Sequence, residues 1–277
     1  MSTKLDPVTG AKISIWDRIP RWISILGFLL IVFALWQFLS MTGWVSKFIL
    51  PPPIDVAQAL WRFIGQVIEG GPLRQALLIT VIEAVLAFAV AAVLGIATGF
   101  LVAETSFGRI VLLPFLVAIN AAPKVVFAPV FIAALGFGIS AKVALGAFIA
   151  FFPLLVDTAA GLAATDPDRT TLFRSLRAST RQRVFKLQLP SALPFIFAGL
   201  KTAAVLAVIG VVIGEFIGGG RGLGQQTKIA GDQLAMDRVY AYGITLAVLG
   251  YLFFWLVSVL ERKVVFWQQP HGVGGKG

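Results

Sequence analysis

Six long apolar stretches constrain this chain more than any other feature of its sequence. They run at about residues 22–41, 73–103, 109–135, 141–160, 194–217 and 239–260. About 20 apolar residues in a helix rise roughly 30 Å, the thickness of a bilayer's hydrocarbon core. Only 13% of the residues are charged, against about 25% in an average soluble domain. That is too little polar surface to clothe a soluble globule. The pattern specifies an all-α, polytopic membrane protein of about six transmembrane helices.

Charge placement gives the orientation. The formal net charge is +10, and the basic residues gather in three places. Lys4, Lys12, Arg18 and Arg21 precede the first span, a basic loop separates the fourth and fifth, and Arg262 and Lys263 end the sixth. Lysine and arginine accumulate on the cytoplasmic side of membrane proteins, so both termini and this loop are expected inside. No nucleic-acid motif accompanies the charge, and no nucleic acid is expected as a partner. The first span is too long for a signal-peptide core and no small-residue cleavage site follows it. Residues 1–21 therefore read as a cytoplasmic N-terminal segment, 22–263 as the membrane domain and 264–277 as a cytoplasmic tail. Trp16, Trp22, Trp44 and Trp267 are expected to anchor the spans among interfacial lipid.

The chain has no cysteine and one histidine, His271, in the tail. Thiolate and iron–sulfur chemistry are thereby excluded, and no metal site is expected. With no paired-carboxylate motif either, the chain does not read as an enzyme.

The basic loop is the most informative polar stretch, "TDPDRTTLFRSLRASTRQRVFKLQLPSALP" at 165–194. Arg169, Arg174, Arg177, Arg181, Arg183 and Lys186 stand against Asp166 and Asp168 alone. Leu172, Phe173, Leu176, Val184 and Leu187 recur at helical spacing. The spacing predicts a short amphipathic helix over about 169–183, held at the cytoplasmic face with its apolar side against the bundle. Pro190 and Pro194 are expected to set its junction with the fifth span.

Ionisable groups at membrane depth are costly and mark candidate pathways. Glu83, Lys124 and Glu215 qualify, and Asn120 joins them as a buried hydrogen-bonding group. Pro114, Pro123 and Pro129 break the third span, which makes Asn120, Pro123 and Lys124 the leading pathway element. Glu83 and Lys124 read as a pair across the bundle. Asp157 and Lys201 lie near the cytoplasmic ends of their spans, where they can cap or snorkel. "GGGRGLG" at 218–224 fits neither glycine-rich phosphate motif, so nucleotide is not expected on this chain.

Several segments, in order, resemble the permeases of ABC importers of the nitrate/sulfonate/taurine type. They are "LPPPIDV", "APKVVFAPVFIAALGFGISAKV", "KLQLPSALPFIFAGLKTA" and "IGEFIGGGRGLGQ", and the resemblance covers about residues 50–265. It implies a bacterial inner-membrane permease that works as a homodimer. Two cytoplasmic ATP-binding subunits would carry ATP and Mg, and a periplasmic solute-binding protein would deliver a small solute of sulfonate, nitrate or aromatic-acid type. It also implies that residues 165–190 form the ATPase-coupling segment, with contacts at Arg169, Thr171, Leu172, Phe173, Arg174, Arg177, Ala178, Ser179, Arg181, Leu187, Leu189 and Pro190. The family's signature ends in Leu-Pro, here Leu189-Pro190. Its Glu-Ala-Ala is replaced by Thr171, Leu172 and Phe173, and its glycine by Arg177. Glu215 matches a glutamate usual in the family, and with Glu83, Asn120, Pro123 and Lys124 it completes the expected substrate pathway. The alternative is an ion-coupled secondary transporter with Glu83, Asp157 and Glu215 as a relay.

Overall fold

The computed structural model describes residues 20–267. Lys4, Lys12 and Arg18 of the basic N-terminal segment, and His271 with the rest of the glycine-rich tail, lie outside the described residues.

Every regular element among those residues is helical. The first three helices are α1 (Arg21–Met41), α2 (Pro53–Ile68) and α3 (Pro72–Glu104). Then come α4 (Leu113–Ala121), α5 (Ala128–Leu135) and α6 (Ile139–Ala163). The short α7 (Pro167–Ser175) and α8 (Thr180–Arg183) lead to α9 (Leu189–Gly218), α10 (Leu223–Asp232) and α11 (Met236–Val264). Five helices are long and apolar enough to cross a membrane. The bent pair Gly108–Ala121 and Lys124–Leu135 makes a sixth crossing when taken together.

That pair is the broken third span, and it bends by 92°. Ala122 and Pro123 take extended ψ angles at the bend, and Pro129 lies in the first turn of α5. Proline tolerates the first turn of a helix but disfavours helical backbone in the residue before it. The sequence Ala122-Pro123 therefore stops α4, and the chain restarts in a new direction.

Two π turns, Gly108–Leu112 and Val184–Gln188, mark another effect of proline. Each is followed by Leu-Pro, at Leu113-Pro114 and at Leu189-Pro190. A proline has no N–H for the carbonyl one turn back, and its ring crowds that carbonyl. Widening the preceding turn relieves the crowding, and the leucine N–H reaches back five residues, Leu113 to Gly108 O and Leu189 to Val184 O. The fifth span therefore does not start at Pro194. Thr180–Gly218 runs as one 39-residue rod, with Pro194 inside it.

The core is α6 packed between α3 and α9. Ala87, Ala91, Ala150, Ala203 and Ala207 are wholly buried there. A Cβ on Gly210 would stand 2.6 Å from the Cα of Gly146, and one on Gly146 would stand 2.9 Å from the Cβ of Ala87. In lipid there is no hydrophobic gain in driving helices together, so small residues that allow close dispersion contact carry the association. The amphipathic α2 lays Val56, Ala59 and Phe63 inward and packs Phe63 on Tyr242 of α11, with ring centroids 5.6 Å apart. By contrast α1 is almost wholly exposed. Its second half is tied down where the Trp36 indole donates to Pro51 O at 3.0 Å and packs at a tilt on Tyr240, with ring centroids 5.9 Å apart.

The alternating helices define two ends of the bundle. The segment 164–188 lies at one, the loop end, together with Glu104 and Glu261. The glycine-rich turn 219–222 lies at the other, the turn end, with the start of α6.

Candidate functional site

At the loop end, the expected single helix over 169–183 is two capped helices. Asp166 caps α7 by accepting from the Asp168 N–H at 2.9 Å. Ser179 and Gln182 form a reciprocal capping box on α8 at 2.8 and 3.2 Å. Between them the chain turns on Arg177, whose φ is 53°. Ala178 N–H reaches Phe173 O at 3.0 Å and Arg177 N–H reaches Arg174 O at 2.9 Å, the bond pair of a Schellman ending. The left-handed position of that motif favours glycine, because a Cβ is strained there. This gives the physical reason for a glycine at this position of the signature that the chain resembles. Arg177 is exposed but not on a helix face.

The apolar residues of the segment point differently from expectation. Leu172 and Leu176 are 56% and 71% exposed, whereas Leu187 is buried against the bundle. The exposed pair lies in a stretch of chain that also carries the exposed Arg169, Arg174, Arg177 and Arg181; Arg169 pairs with Asp166 at 3.5 Å and Arg181 stands over the Phe185 ring. Thr171 and Ser179 are exposed as well, while Phe173, Ala178, Leu189 and Pro190 are half-buried. Glu104, at the end of α3, fixes the segment to the bundle. Its carboxylate accepts from Arg183 Nη2 at 3.0 Å and from Gln188 Nε2 at 2.7 Å.

Toward the turn end, four buried polar side chains meet. Lys142 Nζ lies 3.1 Å from Glu83 Oε1, so Glu83 pairs with Lys142 and not with Lys124. Thr80 Oγ1 donates to Glu215 Oε1 at 2.6 Å, and the Leu223 N–H donates to that hydroxyl at 2.8 Å. Gly224 N–H donates to Glu215 Oε2 at 2.6 Å. Thr80, Glu83 and Glu215 are wholly buried and Lys142 is 5% exposed.

The glycine-rich turn exists for this arrangement. A Cβ on Gly222 or on Gly224 would collide with the Glu215 carboxylate, and one on Gly220 would meet Lys142 Nζ. Free N–H groups at the start of α10 favour an anion. The group cradled by this turn is the chain's own Glu215 carboxyl, not a phosphate. One network thus ties α3, α6, α9 and α10 together.

The remaining pathway candidates lie apart from this network. Asn120 and Pro123 are exposed, so Asn120 is not the buried group expected from sequence. Lys124 donates to Asn120 O at 3.0 Å and stands 5.3 Å from the Phe152 ring centroid. Phe127 and Phe131 of the broken span interleave with Phe148, which in turn packs on Phe152. The five predicted residues therefore form two groups: Glu83 and Glu215 inside the bundle, and Asn120, Pro123 and Lys124 at the bend. Lys201 pairs with Glu261 at 2.8 Å between α9 and α11.

Sequence reasoning passes over Lys142, Thr80 and Glu104. Lys142 stands at the start of its span, where a lysine reads as an edge charge, and threonine carries no depth signal. The capping box at Ser179–Gln182 was legible from its spacing.

The family model for a binding-protein-dependent transport system inner membrane component matches residues 91–266. The formylaminopyrimidine transport permease protein ThiX of Halalkalibacterium halodurans is 32% identical, over 87% of this chain and 94% of its own. The riboflavin transport system permease protein RibX of Chloroflexus aurantiacus is 31% identical, over 87% of this chain and 88% of its own. For the taurine transport system permease protein TauC of Escherichia coli the identity is 28%, over 87% and 88%. A solved structure of the MetNI methionine ABC transporter in inward-facing conformations superposes with a TM-score of 0.59. It covers 70% of this chain and 96% of its own, at 19% identity, a likeness of fold.

Proposed function

Because this chain belongs to the family of binding-protein-dependent transport system inner membrane components, and is therefore a permease subunit of an ABC importer, we propose how its parts divide that work. Two copies of the chain enclose the path, with two ATP-binding subunits docked at the loop end and a solute-binding protein at the turn end. The loop end faces the cytoplasm, since its loop carries six basic residues against two acidic ones. ATP and Mg belong to the docked subunits of a bacterial inner-membrane assembly.

The observation that carries the coupling reading is the rod Thr180–Gly218. It runs unbroken from the capped segment at the loop end to Glu215 and the glycine-rich turn at the other. A displacement at Thr180 by a closing ATPase reaches the turn end through one rod, and α7 is joined to that rod by the short turn 176–179, held by the bonds of Arg177 and Ala178 N–H and by the Ser179–Gln182 capping box. Leu172 and Leu176 offer the apolar anchor for that partner, and Arg174, Arg177 and Arg181 offer charges for acidic groups around it. Glu104 holds the segment in register. Glu83 and Glu215 brace the turn end.

The solute path is assigned to the bend at Asn120, Pro123 and Lys124, beside the phenylalanine row. A lone ammonium next to aromatic rings suits a small anion of sulfonate, nitrate or aromatic-acid type. Among the relatives, TauC carries taurine in its name, a sulfonate.

The test is reconstitution. Vesicles with this chain alone are expected to accumulate no solute under any imposed proton or sodium gradient. Adding the ATP-binding subunits, ATP and loaded binding protein is expected to start uptake. Gradient-driven uptake without an ATPase would overturn the reading in favour of an ion-coupled secondary transporter.

A further inference from the structure

At the loop end, α7, the end of α3, the first π turn and the end of α6 enclose a cleft of about 570 Å³. Its rim carries Arg109, Arg174 and Arg183 against one carboxylate, Glu104. Its floor is apolar, with Val156 and Ala160 among its residues. Glu104 offsets one of these charges, Arg183, through a bridge at 3.0 Å and also accepts from Gln188 Nε2 at 2.7 Å, which leaves Arg109 and Arg174 as the cationic excess of the rim. Arg183 Nε and Gln188 Oε1 are buried with no partner, although buried polar atoms are nearly always paired. Arg109 donates one N–H to Ala103 O at the end of α3, at 3.1 Å, and its side chain is otherwise exposed where it lines the cleft.

A cationic rim over an apolar floor, with a buried donor unpaired, suits one kind of ligand. The geometry points to an oxyanion site in this cleft, taking a phosphate-type group between Arg109, Arg174 and Arg183. Guanidinium groups match the planar spacing of oxyanion oxygens and supply several donors each. Two sources share that chemistry. One is the headgroup of an acidic phospholipid, whose chain would lie on the apolar floor and over Ile110 and Val111, which are 74% and 50% exposed beside Arg109. The other is a free oxyanion. Either occupant would sit against the Glu104–Arg183 bridge and stiffen the joint between the coupling segment and α3. This site does not depend on which solute is carried, and it shares Arg174 with the surface proposed to dock the ATPase.

The full-length chain in nanodiscs tests this, with the thermal unfolding midpoint as readout. In nanodiscs of phosphatidylcholine alone, inorganic phosphate is expected to raise the midpoint saturably. Arg109→Gln and Arg174→Gln are each expected to raise the half-saturating concentration about tenfold or more, the loss of one charge-assisted contact. Arg174 is exposed on α7, so its replacement leaves folding intact even where Arg109→Gln does not. Arg221→Gln, at the turn end, is expected to respond as the wild type. Nanodiscs of equal parts phosphatidylcholine and phosphatidylglycerol separate the sources. If the lipid supplies the stabilisation and phosphate adds nothing, the occupant is the headgroup; if phosphate still acts, it is a free oxyanion. The proposal is overturned if neither phosphate nor phosphatidylglycerol moves the midpoint, or if both arginine variants respond as the wild type.

Discussion

The Lys142 ammonium and the Glu83 carboxylate stand 3.1 Å apart between α6 and α3, with the glutamate wholly buried. A charge pair in such a place holds its helices in register and is unforgiving of the loss of one member. Lys142→Met is expected to destabilise the chain by ~3–5 kcal/mol, since it leaves Glu83 uncompensated. The double variant Glu83→Leu with Lys142→Met is expected to recover most of that loss. Thermal unfolding of the purified chain in nanodiscs measures both. A double variant as unstable as the single would show that the charge pair is not what matters.

Gly222 has extended backbone, φ −76°, which any residue adopts, so only the Glu215 carboxylate excludes a side chain there. Gly222→Ala is expected to cost ~1–3 kcal/mol, the range for overpacking a tight site. Combined with Glu215→Ala, which removes the obstacle, it is expected to add little further cost. A double-mutant cycle on unfolding midpoints checks this, and simple additivity of the two losses would contradict the contact.

Arg177 holds a left-handed conformation suited to glycine. Arg177→Gly is expected to stabilise the chain by up to about 1 kcal/mol, with coupling intact. Arg177→Glu keeps the strain but reverses the charge, and is expected to lower ATPase stimulation by loaded binding protein, most at low salt. Stimulation by the glutamate variant equal to wild type at low salt would remove Arg177 from the contact.

Lys124→Ala and Asn120→Ala are expected to lower the uptake rate severalfold while expression and assembly stay at wild-type level, because both residues lie at the bend and outside the packed core. Lys124→Arg is expected to retain more uptake, since it keeps the charge. Uptake assays paired with size-exclusion profiles decide it. Equal losses of assembly in both alanine variants would make this a packing site.

The class, the number of spans and the bend were readable in the sequence alone, although the start of the fifth span, Thr180 and not Pro194, was not. Span length follows from bilayer thickness, and a proline's missing N–H acts locally, so both are visible in a window of residues. The position of the basic loop was legible in the same way, from its charge, although its division into two capped helices was not. Which charges meet was set by the packing of the helices. Glu83 is 59 residues from Lys142 and Glu215 is 135 from Thr80, and no local pattern encodes a contact across helices. Lysine at 124 was the natural partner for Glu83 by depth alone; packing α6 between α3 and α9 brought up Lys142 instead. The glycines at 222 and 224 likewise read as a flexible turn until α9 placed Glu215 beneath them. The reason is the same in each case: burial in a bundle is set by how helices rotate against one another, and that rotation is fixed by the sum of many small side-chain contacts rather than by any one stretch of chain.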